Sequence, residues 1–176
     1  MTIATGYNIT TARPRDVPGL ASIEREAAKL LRGHAPPSVL EETTSEAVFS
    51  KAQAAGRLWV SLAGETVVGF ALVEMLAADL PHLAEIAVHP LHGRRGAGSA
   101  LVRTVCNWAQ QTGQSGITLT TFRDLPWNMP FYSRLGFEEV ATENLRSEIK
   151  AVIADENLRG LDLVRRVLMR YCADAV

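Results

Sequence analysis

Apolar positions along this chain switch between helical and strand periods in a definite order. Residues 7–12 alternate weakly and predict an opening strand. A turn through Arg13, Pro14 and Arg15 follows, with Asp16 expected as the helix N-cap and Pro18 early in the helix. Leu20, Ile23, Ala27, Leu30 and Leu31 carry that helix at helical spacing, until Gly33, Pro36 and Pro37 break it. A second helix is expected over residues 39–55, with Val39, Leu40, Val48 and Phe49 on its apolar face and Gly56 at its C-terminus. Two β-rich runs, 58–62 and 67–73, flank a short hairpin loop, and 82–88 reads as the next strand. Residues 98–111 predict a long helix buried on Leu101, Val105 and Trp108 and stopped near Gly113. A threonine-rich strand is expected at 117–122, then a short helix from Asn128 to Leu135 that Gly136 ends, and a strand at 137–141. The tail reads as a helix over 147–159, ended by Gly160, and a last strand over 165–172. This order is α+β or mixed α/β, and the length suits one domain over residues 1–176.

Composition narrows the classes. The hydrophobic share is 47%, the charged share 21% and the net charge −1, the balance of an ordinary globular protein. No general nucleic-acid or membrane-surface binder is expected from that charge, and no apolar run is long enough to span a bilayer. Positive charge is local, in the pairs Arg94–Arg95 and Arg165–Arg166. Residues 1–6 lack the basic and apolar regions of a signal peptide. Cys106 and Cys172 form no metal-type spacing and no disulfide framework, so a cytoplasmic protein without a metal is expected.

The strongest chemical signal runs from Glu85 to Val102: a short apolar strand, a basic glycine-rich turn, then a helix. The first turn of a helix has N–H groups with no intrahelical partner and carries partial positive charge. Gly93, Gly96 and Gly98 remove Cβ atoms that would hold a phosphate away, and Arg94 and Arg95 add fixed charge. The pattern reads as a seat for a diphosphate. The third glycine of the dinucleotide fingerprint is missing, and so is the Gly-Lys-Ser/Thr of the nucleoside-triphosphate loop.

Val88-His89-Pro90 followed by Gly96-Ala97-Gly98 resembles the acetyl-coenzyme A motif of the GNAT family of N-acetyltransferases. Gly93 stands where that motif has Gln or Arg. Phe131-Tyr132 followed by Gly136-Phe137 resembles the family's downstream Phe-Tyr-x-x-x-Gly-Phe. The resemblance implies a GNAT-like, mostly antiparallel twisted sheet of about six to seven strands flanked by helices, with splayed fourth and fifth strands. It implies acetyl-CoA as cosubstrate and direct transfer to an amine within a ternary complex, so Cys106 reads as core. By the same resemblance the cofactor contacts are Ile86, Ala87, Val88, Gly93, Arg94, Arg95, Gly96, Ala97, Gly98, Ser99, Asn128, Phe131 and Tyr132. Val88 would polarise the thioester carbonyl through its N–H, and Tyr132 would give a proton to the departing sulfur. The commoner family pattern has an Asn where this chain has Leu125, and Asn128 serves equally as a pantetheine contact or a helix cap.

Removing a proton from a primary amine at neutral pH needs a base or a water-mediated path. Glu85 is the first candidate, and strand alternation sets it with Ala87 on one face, Ile86 and Val88 on the other. A buried glutamate held by an arginine or by backbone explains it equally well. His82 and His34 are further candidates, while His89 and His92 flank the turn. The acceptor region would include Glu41, Glu42, Glu74, Asp79 and Trp127. A small-molecule amine is the expected acceptor. A protein or peptide amine, or a non-catalytic acyl-CoA sensor, stays open, as does a homodimer through 164–170, which reads equally as an edge strand or an internal strand.

Overall fold

The structure is a computed structural model that describes residues 6–173. Residues 1–5, part of the stretch read above for a signal peptide, lie outside them. The strands are β1 (Asn8–Thr11), β2 (Leu58–Ala63), β3 (Thr66–Ala77), β4 (Leu80–Val88), β5 (Gly116–Phe122), β6 (Phe137–Glu139) and β7 (Arg166–Cys172). The helices are α1 (Leu20–Ala28), α2 (Pro37–Glu41), α3 (Glu46–Ala54), α4 (Ala97–Gln111), α5 (Met129–Ser133) and α6 (Ser147–Leu158). All the strands form one sheet in the order β1-β2-β3-β4-β5-β7-β6, antiparallel except between β4 and β5.

Helices cover both faces of the sheet. On one face α4 buries Leu101, Val102, Val105 and Ala109 against Trp59, Val73, Leu83, Ile117, Leu119 and Met169. Each fully buried Leu or Val there contributes about 1.5–3 kcal/mol relative to exposure. On the other face α1 and α3 pack Leu20, Ile23 and Phe49 on Val60, Phe70, Leu72 and Ala87. Cys106 is buried in the α4 core, where loss of hydration pushes its thiol up to about 12, as expected for a core residue.

Three local expectations are corrected. Asp16 does not cap α1: it sits in a 3-10 turn, Pro14–Gly19, where its carboxylate accepts from the Arg13 N–H at 2.8 Å and pairs with the Arg13 guanidinium. The helix expected over 39–55 is two helices, because Glu42 turns extended and Ser45 starts α3 by accepting from the Val48 N–H. The sixth strand ends at Glu139, sooner than residue 141. Of the two readings of 164–170 the internal strand holds: β7 lies between β5 and β6, and β1 and β6 are the edges.

Two features of the sheet position the site. The β3–β4 register slips by one residue: Leu72 faces Glu85 while Val73 faces Leu83, leaving Ala84 as a bulge. Without that extra residue Glu85 would share Leu83's face, toward α4. With it, Glu85 joins Ala87 toward α1, while Ile86 and Val88 pack toward α4. The second feature is the parallel join. β4 and β5 pair only at His82 and Thr118, so their C-terminal ends separate beyond that point. The sheet is thus open between residues 85–88 and 119–122, the splay implied by the resemblance.

Candidate active site

The opening exposes backbone. The His89 N–H donates to the Val68 carbonyl at 2.8 Å, on the β3 side. With a strand period of two, the Ala87 N–H also faces β3, and those of Ile86 and Val88 face the opening. Beyond Val88 the chain makes a 3-10 turn, Pro90–His92, and then the glycine turn. Arg94 and Gly96 both adopt positive φ, +60° and +94°. Such alternation turns successive N–H groups inward into an anion-binding concavity, and glycine meets the requirement at residue 96 without strain. No side chain caps α4, whose first bond of this kind is Ala100 N–H to the Gly96 carbonyl at 3.0 Å. Among the described residues nothing accepts from the N–H groups of residues 94–99. The 15-residue α4 points its positive end at the same place. A Cβ on Gly98 would meet Phe131 at 3.7 Å and Val88 at 3.8 Å, so the turn, the β4 end and α5 adjoin. These features fit a pyrophosphate.

Tyr132 comes from α5 and is 8% exposed, between the rings of Phe131 (5.0 Å) and Phe137 (5.7 Å). Its phenol is pushed well above its usual range, first by burial and then by the negative charge of Glu85. It therefore stays protonated and able to donate. Its ring lies in the α4-side core, on a helix whose Phe131 adjoins Gly98 at the start of α4. Asn128 does not cap α5: its side-chain amide donates to Thr121 Oγ1 at 2.8 Å, tying the helix to β5. Leu125 is buried with Phe122 and Leu161.

Glu85 is half-buried at the opening. Burial and the neighbouring Glu24 raise its carboxyl to about 8, against a weaker opposing effect of the Ile86 N–H, Arg159 and Arg166. Glu24 is itself raised by burial, while its carboxylate accepts from the Thr44 N–H at 2.8 Å and hydroxyl at 3.0 Å. His82 is buried, bonded to Thr118 Oγ1 at 2.9 Å, and lowered by burial to about 4. A neutral imidazole so held is a structural link between β4 and β5. His34 is engaged by Arg165, within 3.2 Å of its carbonyl and of Nδ1, and packs edge-on to the exposed Trp127. His92 meets the Tyr7 hydroxyl at 3.2 Å, and His89 Nδ1 accepts from the Leu91 N–H. Of the acidic set, Glu42 pairs with Arg159 and Asp79 with Arg146, while Glu41 and Glu74 are exposed.

The family profile for "Acetyltransferase (GNAT) family" matches residues 22–137. This chain belongs to that family. The mycothiol acetyltransferase of Nocardiopsis dassonvillei is 29% identical over 132 residues, 74% of this chain, and the match spans only 38% of that protein's length. The PaiA N-acetyltransferase of Thermoplasma acidophilum, solved with coenzyme A, has a TM-score of 0.73 at 16% identity, covering 94% of this chain and 98% of that one. The ribosomal-protein-S18-alanine N-acetyltransferase of Escherichia coli has a TM-score of 0.66 at 20% identity, covering 97% and 96%. The GNAT fold is thereby shown. No group of His, Cys, Asp and Glu suited to a metal ion occurs among the described residues, and no described helix is long and apolar enough to cross a membrane.

Glu24, Thr44, Glu156 and Arg166 were not found from the sequence. Glu24 reads as the solvent side of an amphipathic helix, and nothing in its spacing announces a partner twenty residues on. Glu156 and Arg166 lie ten residues apart on a helix and a strand, and only their pairing shows that they act together.

Proposed function

We propose that this chain transfers an acetyl group from acetyl-CoA directly to the primary amine of a small molecule. One observation carries the reading: among the described residues the N–H groups of residues 94–99 have no acceptor, and they lie next to a sheet opening bordered by the Val88 amide and Glu85, with α5, which carries Tyr132, adjoining. Acetyl-CoA would supply the activated acetyl thioester. The N–H groups at the start of α4, with Arg94 and Arg95, would hold its pyrophosphate. The Ile86 and Val88 N–H groups would bind along the opening, with Val88 polarising the carbonyl. Glu85, as carboxylate, would take the proton from the attacking amine, directly or through a water. Tyr132 would give its hydroxyl proton to the leaving thiolate. Asn128 and Phe131 hold α5 against β5 and Gly98, and so set Tyr132 in place.

A small acceptor is favoured by the connection between β6 and β7. It carries α6 across the sheet face toward α1 and is clipped at both ends, by Arg146 to Asp79 on the β3–β4 hairpin and by Arg159 to Glu42 beside α2. Those ties would hold α6 over the acceptor end, which favours a small amine over a polypeptide.

Calorimetric titration of acetyl-CoA, followed by thiol release with panels of small amines and of peptides, tests the reading. Binding plus turnover of small amines supports it. A folded protein that binds no acetyl-CoA, or that acetylates peptides and no small amine, overturns it.

A further inference from the structure

Helix α6 has different surroundings on its two sides. At about 100° per residue, Glu148, Asp155 and Arg159 fall within about 40° of one another around the axis. That side is tied inward: Arg146 holds both Glu148 and Asp79 of the β3–β4 hairpin, and Arg159 holds both Asp155 and Glu42 beside α2. Ile149 and Glu156 turn down onto the sheet and are buried. Lys150, Ile153 and Asn157 face the other way, and line a cleft of about 450 Å³ between α6 and β7. Its volume is that of a small-ligand site. Thr120, Arg166 and Leu168 of the sheet form its floor, and no residue of α1, α2 or β4 lines it. The cleft is therefore separate from the opening beside Glu85, with α6 between the two.

The walls are mostly apolar, from Leu145, Ile153, Leu163 and Leu168, and the charged lining residues are Lys150, Glu156 and Arg166. Glu156 is fully engaged. Its Oε1 accepts from Arg166 Nη2 and from the Thr120 hydroxyl, each at 2.5 Å, and its Oε2 accepts from Arg166 Nε at 3.1 Å. Arg166 is not: its side chain is 14% exposed, and its Nη1 donates to nothing among the described residues. The Phe122 ring, 4.8 Å from the guanidinium carbon, helps to fix the group. Lys150 is exposed, and its ammonium has no partner among the described residues. The cleft thus carries two positive charges against one, with open donors on a nearly buried guanidinium, and an anion would offset that desolvation. We propose that it binds a small carboxylate with an apolar body. The carboxylate is taken by Arg166 Nη1 and Lys150, and the apolar part lies along Ile153, Leu163 and Leu168.

Octanoate is the probe, with octanol as its uncharged match and acetate as the head group alone. Each is titrated into the nitrogen-15-labelled full chain and followed through the backbone amide shifts. Octanoate is expected to give saturable shifts centred on residues 150–157 and 163–168. Octanol should bind about tenfold more weakly, the worth of one hydrogen bond to a charged group, and acetate should give no saturable shift there. Ala154→Trp fills the cleft from an exposed position, and should abolish octanoate binding while leaving acetyl-CoA affinity unchanged. Arg166→Gln/Glu156→Gln removes the floor charge without stranding a buried carboxylate, and should bring octanoate down to the affinity of octanol. Lys150→Gln should weaken octanoate and leave octanol alone. Equal affinities for octanoate and octanol in the wild type, shifts centred on the sheet opening, no saturable shift at all, or octanoate binding that Ala154→Trp leaves intact would each overturn the site. None of these titrations needs turnover or acetyl-CoA, so failure of the proposed acetyl transfer shows separately, in the calorimetry and thiol-release assays.

Discussion

The two ends of the sheet opening are built in different ways. The proposed donor end is one continuous piece of chain, from β4 through the glycine turn into α4, and the groups it offers are main-chain N–H. The acceptor end is assembled from α1, β4, β5, α6 and β7, and its working groups are side chains held by partners far away in sequence. Backbone recognition tolerates sequence change, which is why Gly93 can stand at a position the family fills with Gln or Arg. Side-chain recognition does not, so specificity concentrates at the acceptor end.

The largest effect should come from breaking the acceptor end at its base. Glu85→Gln is expected to lower kcat/KM for the amine by roughly 100- to 10,000-fold while leaving acetyl-CoA affinity nearly unchanged. On the proposed mechanism the carboxylate is the active form, and burial beside Glu24 raises that carboxyl to about 8, so kcat/KM should rise with pH through that value. The variant should lose that limb and keep only the slope due to the acceptor amine. A variant that retains the limb would assign it to the substrate alone.

The matching break at the donor end is Gly96→Asp. A side chain at φ +94° is strained, and a carboxylate there repels phosphate. The expected loss is about 100-fold in acetyl-CoA affinity, equivalent to roughly one hydrogen bond to a charged group at about 1.5–3 kcal/mol. Calorimetry reads it directly, and kcat at saturating acetyl-CoA should change much less. An equal fall in kcat would mean that the turn also shapes the opening.

This contrast explains what could be read from the chain alone. The order of elements, the α4 apolar face and the glycine turn at the head of α4 were legible because each depends on residues close together in the chain. Gly96 at the head of α4 is a local signal, and so is the Phe131, Tyr132, Gly136 pattern. The Ala84 bulge was not legible: it arises from the register between two strands, and a one-residue slip decides which way Glu85 points. The break at residues 42–45 was hidden because Val39, Leu40, Val48 and Phe49 keep an apparent helical spacing across it. Asn128 shows the same limit. Its type suits a cap, but the Thr121 hydroxyl, brought close by the fold, takes its amide instead.

A smaller effect sharpens the comparison through stability. The Glu85 carboxyl binds its proton more tightly in the folded than in the unfolded chain. Its favourable contribution is therefore complete below its ordinary value near 4.5 and is lost as pH rises through about 8. Glu85→Gln, which stays neutral, should match the wild type in thermal melts at pH 4 and exceed it increasingly from pH 5 to 9. No gain at pH 9 would mean that water reaches the carboxylate well enough to cancel the burial. Gly96→Asp should show no such crossover, because the donor end buries no titrating group of this kind.

The smallest effect belongs to the clip over the acceptor end. Arg159 is 38% exposed and Glu42 55% exposed, and such a pair contributes no more than about 1 kcal/mol to stability. Arg159→Ala should therefore melt within a few degrees of the wild type. Its consequence should appear in selectivity. Freed from α2, the end of α6 would admit bulkier amines, so kcat/KM for large acceptors should rise relative to small ones, with acetyl-CoA affinity unchanged. Glu42→Ala should act in the same direction, and the double variant should add little, because both singles cut one tie. Unchanged selectivity in all three would mean that the Arg146–Asp79 tie and the Glu156–Arg166 pair suffice to hold α6 in place, so that the Arg159 end of the clip sets no limit on the acceptor.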